Sequence, residues 1–311
     1  MRTVTCRIFT GDRMQVVVPE IVGDELCRQG YIEPDLTRVL LGTLRPGMVF
    51  VDVGAHYGYH SLVAGRAVGP SGRVLALEPG RGVLPLLLAN TAGHGNITVD
   101  AVAASARTGT ALLRDYGAGN SALSTIHGGA RVPPDERRSL RAETYEVPAV
   151  ALDDHLPARG IRPDFVKLDA EGAELDILRG MERILDEVAP ILALEVGDYD
   201  GMASPSTASS LDHLDRFGYR AYEWSAGGLR PHVRRTRYGY GNLFLAKGDR
   251  RIEHVPGDQQ ILVRDMDGAV PEPDAVGHPV HPEVAHRFRS PPDDRARHGH
   301  DHPVDEPAPQ Q

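Results

Sequence analysis

Residues 51–58 read Val51-Asp52-Val53-Gly54-Ala55-His56-Tyr57-Gly58, and they continue the apolar run that starts at Met48. A short apolar run that ends in a glycine-containing turn is typical of a buried parallel strand leading into a helix. Gly54 leaves the backbone open to a ligand, because no side chain blocks the approach. The free N–H groups at the start of the following helix attract negative charge. The stretch therefore predicts a nucleotide-binding turn between a strand and a helix.

Glu78 lies twenty residues beyond Gly58, at the end of a second predicted strand. A dinucleotide-binding fold places its ribose-binding carboxylate at this separation. The glycine spacing differs from the G-x-G-x-x-G of NAD-binding turns, and Asp52 beside the turn would repel a pyrophosphate. The carboxylate of Asp52 would instead attract an ammonium group. S-Adenosylmethionine has such a group at its amino-acid end, whereas NAD does not. The alternative is a glycine turn that only closes a strand–helix unit.

Strand and helix patterns alternate along the middle of the chain. Apolar runs predict seven strands, at 48–53, 73–77, 97–104, 165–168, 191–196, 220–224 and 242–246. Helical patterns fall between them, at 56–68, 83–92, 173–185 and 206–217. Strands separated by helices form βαβ units with a parallel sheet. We therefore predict a Rossmann-like α/β domain over residues 47–249, with a mostly parallel seven-stranded sheet and helices on both faces.

Residues 1–46 predict an N-terminal prefix that precedes this domain. Two β-rich runs, at 2–9 and 14–18, flank the turn residues 10–13 and predict a hairpin. Two short helical patterns follow, at 20–29 and 34–44.

Two further segments differ from the alternating pattern. Residues 105–147 form a long insertion rich in turn residues, which we expect to cover the substrate cleft. Residues 250–311 are acidic, and positions 271–311 hold nine prolines and six histidines with almost no apolar periodicity. Such a composition cannot bury enough apolar surface to offset the entropy of ordering. We therefore expect a largely disordered tail.

Composition narrows the classes of partner. A net charge of −9 disfavours a broad basic surface for nucleic acid. No apolar run reaches the about 18 residues that span a bilayer, and no signal-peptide pattern occurs. Cys6 and Cys27 are too few for a disulfide framework. We expect a cytoplasmic protein that binds a small molecule, and neither nucleic acid nor membrane; homo-oligomerisation stays open.

These motifs resemble the FkbM family of methyltransferases. The resemblance rests on residues 50–58, on Leu77-Glu78-Pro79 and, most specifically, on Val166-Lys167-Leu168-Asp169-Ala170-Glu171-Gly172-Ala173-Glu174. Shorter pieces match in the expected order: Tyr31-Ile32-Glu33-Pro34, Gly119-Asn120-Ser121 and Leu152-Asp153-Asp154. The resemblance covers about residues 31–247 and implies a class I methyltransferase fold with S-adenosylmethionine as donor and usually an oxygen acceptor.

The resemblance also implies roles for individual positions. Asp52, Gly54 and Gly58 would line the methionine end of the cofactor, and Glu78 its ribose. The adenine would lie near the end of the third strand, where Ser105 is the available polar residue. The predicted cofactor-binding residues are Glu33, Asp52, Gly54, Ala55, His56, Gly58, Glu78, Ser105 and Asp169. The predicted acceptor-binding residues are Asn120, Ser121 and Glu195.

An alcohol acceptor must lose its proton during methyl transfer, so a general base or a metal ion is needed. Asp169 follows the fourth strand at its carboxyl end, where ligands bind in open α/β sheets, and Glu171 lies in the next turn. His127 in the insertion is a third candidate base. Asp169 and Glu195 would be the ligands of a divalent cation such as Mg²⁺, although carboxylates alone do not establish one.

The predicted function is transfer of a methyl group from S-adenosylmethionine to a hydroxyl group of a sugar, a polyketide or another secondary metabolite. The alternatives are methylation of a carboxyl or nitrogen on a small metabolite, and a nucleotide-binding module without catalysis. Amine methylation of nucleic acid is disfavoured, because Asp169-Ala170-Glu171-Gly172 stands where such enzymes carry Asp/Asn-Pro-Pro-Tyr/Phe. An NAD-dependent oxidoreductase is disfavoured by the glycine spacing.

Overall fold

A computed structural model of the chain describes residues 1–117, 119–126, 141–198 and 206–256. The strands in these ranges are β1 (Arg2–Arg7), β2 (Arg13–Val18), β3 (Val49–Val53), β4 (Arg73–Leu77), β5 (Ile97–Asp100), β6 (Ala103–Ala104), β7 (Gly109–Asp115), β8 (Glu143–Val150), β9 (Phe165–Leu168), β10 (Ile191–Val196), β11 (Tyr219–Ser225), β12 (Gly228–Pro231) and β13 (Gly241–Lys247).

The helices in the same ranges are α1 (Ile21–Gln29), α2 (Pro34–Thr43), α3 (Tyr59–Val68), α4 (Leu84–Thr91), α5 (Leu152–Ala158), α6 (Glu174–Arg179) and α7 (Thr207–Asp215). A 3₁₀ turn at Ser121–Leu123 and a π-helical turn at Ile184–Val188 accompany them. None of these helices has the length and apolarity that a bilayer crossing requires, as far as the described residues go.

The main sheet has the strand order β12-β11-β13-β10-β9-β3-β4-β5. The five strands from β10 to β5 are parallel, and β13 pairs antiparallel with both β10 and β11. The chain order reverses at β3, because β4 and β5 follow on one side while β9 and β10 lie on the other. Ligands of open α/β sheets bind at such a reversal, outside the carboxyl ends of the strands.

The predicted fold class is confirmed, with one more strand than expected. β12 is a four-residue edge strand that pairs with β11. Its sequence, Gly228-Leu229-Arg230-Pro231, carries a glycine and a proline and lacks the apolar alternation of a strand, so the sequence pattern missed it.

Helices pack on both faces of the main sheet, because successive strand residues point to opposite sides. On one face, the rings of Phe50 and Phe165 lie 5.7 Å apart and join an apolar cluster with α1, α2, α3 and the N-terminal hairpin. On the other face, Val51 and Val166 pack against residues of α5, α6 and α7, such as Leu152. The two clusters hold β3 and β9 from both sides.

The predicted third strand, 97–104, is wrong at its carboxyl end. β5 ends at Asp100, whose carboxylate contacts His155 Nε2 at 2.8 Å and Arg159 Nε at 2.7 Å. Ala103 and Ala104 form β6 of a separate three-stranded sheet with the order β6-β8-β7. The described parts of the 105–147 insertion therefore include β7 and the start of β8.

The N-terminal prefix has the predicted hairpin and two helices, and it packs behind the glycine turn. The side chain of Asn90 on α4 accepts a hydrogen bond from Gln15 N at 2.7 Å and donates to the carbonyl oxygen of Tyr57 at 2.8 Å. Residues 251–256 run along α2, where Thr43 Oγ1 donates to the carbonyl oxygen of Glu253 at 2.7 Å. The domain boundaries at 46 and 249 stay predictions, and residues 257–311 of the tail lie outside the described residues.

Replacement of Phe165 by alanine should destabilise the protein by about 3–5 kcal/mol, because it opens a cavity between β9 and β3. Phe165 is 1% exposed, whereas Leu112 is 60% exposed. The control Leu112→Ala should therefore change the free energy of unfolding by less than about 0.5 kcal/mol. Chemical denaturation measures both values, and equal losses in the two variants would contradict this packing.

Candidate active site

The glycine turn after β3 is in backbone contact with the loop after β9. Gly54 has a φ angle of 73°, in the left-handed region that favours glycine. A Cβ atom at Gly54 would lie 1.8 Å from the carbonyl oxygen of Asp169. The N–H of Asp169 donates to the carbonyl oxygen of Val53 at 3.3 Å. Glycine is therefore required at this position, and the carboxyl ends of β3 and β9 open into one crevice.

The same turn is tied to β4. The N–H groups of Gly54 and Ala55 donate to the carbonyl oxygen of Leu77 at 3.0 and 3.1 Å. Ala55 is buried, and Gly58, with a φ angle of 90°, begins α3. The turn therefore has a fixed position relative to three neighbouring strands.

Lys167 is a buried cation on β9 beneath this turn. Its Nζ lies 3.2 Å from Asp52 Oδ1 and 3.1 Å from Asp169 Oδ2, and it donates to the carbonyl oxygen of Gly54 at 3.0 Å. Burial by itself lowers the pKa of a lysine, but the carboxylates of Asp169, Asp52 and Glu33 outweigh it and raise the pKa of Lys167 above its ordinary value. Lys167 is therefore charged at neutral pH.

Glu78 follows β4 and points its carboxylate at the glycine turn. Oε2 accepts a hydrogen bond from His56 N at 2.9 Å, and Oε1 accepts one from Gly80 N at 2.8 Å. Burial raises the pKa of Glu78 to about 7, although these two N–H groups and the charge of Lys167 oppose the rise. A carboxylate has about four lone-pair positions, so a fixed Glu78 can still accept hydrogen bonds from a ligand.

Glu33 joins the prefix to the crevice. It precedes α2 with a φ angle of 42°, and its Oε1 accepts hydrogen bonds from Asn242 Nδ2 at 2.8 Å and Tyr240 Oη at 3.3 Å. Its Oε2 lies 3.4 Å from His60 Nε2. Burial and the charge of Asp169 raise the pKa of Glu33 to about 7, while burial and Lys167 lower the pKa of His60 well below its ordinary value. His60 is therefore uncharged at neutral pH.

Three carboxylates meet in the crevice on the β10 side. Asp169, Glu171 and Glu195 each offer an oxygen, and these oxygens lie within 4.8 Å of one another. Tyr240 is near these carboxylates, and burial, followed by the charges of Glu33, Glu195, Asp169 and Glu171, raises the pKa of its phenol well above the ordinary value. The group could hold a cation or accept hydrogen bonds from hydroxyl groups.

Residues 119–126 cross the crevice from the glycine turn to the loop after β9. Ser121 Oγ lies 2.9 Å from His56 Nε2 and 3.4 Å from Tyr57 Oη. Thr125 Oγ1 donates to the carbonyl oxygen of Glu171 at 2.7 Å. Burial lowers the pKa of His56 to about 3, so this imidazole is neutral when it contacts Ser121.

Most of the predicted site residues lie at or against the carboxyl ends of β3, β4, β9 and β10. They are Glu33, Asp52, Gly54, Ala55, His56, Gly58, Glu78, Ser121, Asp169, Glu171 and Glu195. Ser105 lies apart from them, because it follows β6 and its backbone packs against Gly180. Asn120 is exposed, and His127 lies outside the described residues. The roles assigned to all of these residues stay predictions.

Four residues of the site were not assigned a role in it from the sequence. Lys167 carried a detectable signal, since it is the charged residue in the otherwise apolar strand β9. Glu174 shapes the loop after β9, because its Oε1 accepts hydrogen bonds from Ala170 N at 3.0 Å and Gly172 N at 3.1 Å. Tyr240 and Asn242 gave no signal, because they reach the crevice only through the antiparallel pairing of β13 with β10.

The sheet is mostly parallel with an antiparallel strand beside β10, a glycine turn follows β3, and an acid follows β4. These features define the class I methyltransferase fold. A family model described as the methyltransferase FkbM domain matches residues 52–221. The match covers more than half of the chain, so the protein belongs to the FkbM methyltransferase family. The resemblance seen in the sequence is thereby confirmed.

Solved structures of methyltransferases are similar to the chain at low identity. Methyltransferase FkbM from Methylobacillus flagellatus KT is 22% identical, with a TM-score of 0.39, over 64% of this chain and 43% of that one. The chain therefore spans less than half the length of this relative. Precorrin-6y C5,15-methyltransferase from Geobacter metallireducens GS-15 is 16% identical, with a TM-score of 0.37, over 74% and 91% of the two chains.

A third similar structure is the O-methyltransferase TomG from Streptomyces achromogenes, which is involved in tomaymycin synthesis and was solved in complex with S-adenosylmethionine. It is 14% identical to this chain, with a TM-score of 0.35, over 70% of this chain and 78% of that one. No curated protein matches the sequence.

Replacement of Gly54 by alanine should abolish the crevice, because the new Cβ would collide with the backbone of the loop after β9. Gly218 is the matched control, since its φ angle of 78° is also positive but no atom lies within 4 Å of the position that a Cβ would take. Gly218→Ala should cost about 1–2 kcal/mol of stability from the left-handed backbone alone. Thermal and chemical unfolding should show a clearly larger loss for Gly54→Ala, and equal losses would contradict the contact with Asp169.

Proposed function

We propose that the protein transfers the methyl group of S-adenosylmethionine to a hydroxyl group of a small molecule, such as a sugar, a polyketide or another secondary metabolite. The observation that carries the proposal is the crevice at the carboxyl ends of β3 and β9, with the glycine turn at Gly54 and carboxylates at Glu78 and Asp169 on either side of it. Family membership supports the same reaction class.

The described residues fit this cofactor at both of its ends. Two N–H groups fix the carboxylate of Glu78, which leaves lone pairs for the two hydroxyl donors of a ribose. Asp169 is the partly exposed carboxylate at the other end, where it can accept hydrogen bonds from an ammonium group. When bound, S-adenosylmethionine supplies an electrophilic methyl group on a positively charged sulfur. The carboxylate-rich crevice favours such a cation over the pyrophosphate of NAD.

The carboxylates on the β10 side support a hydroxyl acceptor. Asp169, Glu171 and Glu195 would repel an acceptor that carries a carboxylate or a phosphate. They would stabilise an amine in its ammonium form, which has no lone pair to receive a methyl group. A neutral hydroxyl group avoids both penalties, and it can donate its hydrogen bond to one of the three side chains.

Glu171 is the better of the two described candidates for the general base. Asp169 Oδ2 is already engaged by the ammonium group of Lys167 at 3.1 Å. Glu171 lies in the turn after Asp169, with a φ angle of 50°, and offers a carboxylate oxygen within 4.8 Å of those of Asp169 and Glu195. His127 and a divalent cation at Asp169 and Glu195 stay predictions.

Calorimetric titration tests the cofactor. The wild type should bind S-adenosylmethionine and not NAD, and Glu78→Ala should weaken S-adenosylmethionine by about tenfold to a hundredfold, the effect of losing a charged hydrogen-bond acceptor. The matched control is Glu187→Ala, because this exposed acid precedes β10 at the end of the strand away from the crevice, and the variant should bind normally. A folded wild type that does not bind S-adenosylmethionine would overturn the proposal.

The same titration has an expected pH dependence. Because burial raises the pKa of Glu78 to about 7, its acceptor form is lost as the pH falls through neutrality. The affinity of the wild type for S-adenosylmethionine should therefore fall as the pH is lowered from about 8 to about 6. In the Glu78→Ala variant, the affinity for S-adenosylmethionine should fall less over the same pH range, because the titrating carboxylate of Glu78 is absent.

Assays with methyl-labelled S-adenosylmethionine test the acceptor. Matched pairs such as a methyl glucoside and a glucuronate separate neutral hydroxyl acceptors from anionic ones, and label should pass to the neutral member. Glu171→Gln should lower kcat by about 10²–10⁴-fold, the usual contribution of a general base, with little change in the KM for S-adenosylmethionine. Glu187→Gln is the control, and a chelator tests the predicted cation. Transfer to the anionic member alone would contradict the hydroxyl acceptor.

A further inference from the structure

Lys167 lies inside the main sheet, where a charge is costly. Its neighbours in register are Asp52 on β3 and Ala193 on β10, and its side chain is 3% exposed. A buried ion of this kind is tolerated only when its hydrogen bonds are satisfied by partners. The groups that contact the ammonium group of Lys167 therefore indicate its role.

The ammonium group of Lys167 contacts four acceptors from two segments of chain, residues 52–54 and Asp169. These are Asp52 Oδ1 at 3.2 Å, Asp169 Oδ2 at 3.1 Å, the carbonyl oxygen of Gly54 at 3.0 Å and that of Val53 at 3.4 Å. All four lie at the carboxyl ends of β3 and β9, where the glycine turn meets the loop after β9. One side chain thus links both walls of the crevice.

Asp52 itself is closed to a ligand. It is 0% exposed, its Oδ2 accepts a hydrogen bond from Ser61 Oγ at 2.6 Å, and its Oδ1 pairs with Lys167. Asp169 is different, because a quarter of its side chain is exposed, at 25%. The contact of Asp52 with Lys167 therefore connects it to Asp169 and to the carbonyl oxygen of Gly54, which the same ammonium group touches.

We propose that Lys167 is a positioning residue for the amino-acid end of the cofactor, held in place by Asp52, and that Asp169 and the Gly54 carbonyl are the groups it presents. The inference rests on the proposed function, since it concerns the same site. Lys167 does not donate to the acceptor or take part in proton transfer. It keeps two hydrogen-bond acceptors at one separation, so that an ammonium group finds them already arranged.

Two ligands separate this role from a purely structural one. S-Adenosylmethionine has the amino-acid end and a positively charged sulfur, whereas methylthioadenosine has the same nucleoside with a neutral sulfur and no amino-acid end. Lys167→Met should weaken S-adenosylmethionine by about tenfold or more, because Asp169 and the carbonyl oxygen of Gly54 are no longer held in their arrangement, and it should leave methylthioadenosine within about twofold. A residue that only supported the fold would weaken both ligands alike. S-Adenosylhomocysteine, which has the amino-acid end on a neutral sulfur, is the control for the sulfur charge and should lose affinity in the variants as S-adenosylmethionine does.

A double-mutant cycle identifies the link to Asp52. Asp52→Asn should reproduce the selective loss, and the double variant Asp52→Asn/Lys167→Met should bind no worse than Lys167→Met alone, because both changes break one chain of contacts. The double variant also removes the unpaired buried carboxylate that Lys167→Met leaves behind, so it should fold even where the single variant does not.

Calorimetry with the full-length chain distinguishes an error in the proposed function from an error in the role proposed for Lys167. A wild type that binds neither ligand would overturn the proposed function. A wild type that binds both, with variants that lose both ligands equally or neither, would overturn the role of Lys167. Normal binding of methylthioadenosine with weakened S-adenosylmethionine in the double variant supports it.

Discussion

Among the glycines of the described residues, Gly54 has the tightest backbone contact, with the carbonyl oxygen of Asp169. No room exists for a Cβ atom between them. This contact brings the ends of two parallel strands together at the point where the strand order reverses, β3 between β4 and β9. The crevice, the acid after β4 and the loop after β9 all take their positions from it. Apolar packing on both faces of the sheet keeps β3 and β9 in register, so the contact is rigid.

The carboxyl ends of the strands carry more negative than positive charge, and the fold accommodates this by pairing. Lys167 neutralises part of the charge of Asp52 and Asp169. Farther from Lys167, burial dominates, and the pKa values of Glu33 and Glu78 rise to about 7. A cofactor that carries positive charge would complement such a site. Under the proposed function, the same balance would disfavour an anionic acceptor on the β10 side.

Parts of the chain far from the glycine turn in sequence hold it in place. Asn90 connects the hairpin to Tyr57, and Ser121 contacts the side chains of His56 and Tyr57 from the opposite side. Thr125, in the same segment as Ser121, donates a hydrogen bond to the carbonyl oxygen of Glu171 in the loop after β9. The prefix and the insertion therefore contribute to the geometry of the site, although neither carries the strand–turn–helix motif itself.

The sequence by itself determined the fold class, the bounds of most parallel strands and the main acids of the crevice. These features are local: an apolar run, a glycine turn and an acid at the end of a strand each have a pattern within a few residues. Phe165–Leu168 and Ile191–Val196 matched their predicted ranges for this reason.

Only the tertiary structure decided which residues meet across the sheet. The pairing of β13 with β10 brings Asn242 and Tyr240 to Glu33, over separations of more than two hundred residues. Asp100, at the end of β5, contacts His155 on α5 and Arg159 just after that helix. The partnership of Lys167 with Asp52 requires the register of β3 and β9. Such contacts depend on strand order, register and burial, which no short stretch of sequence encodes.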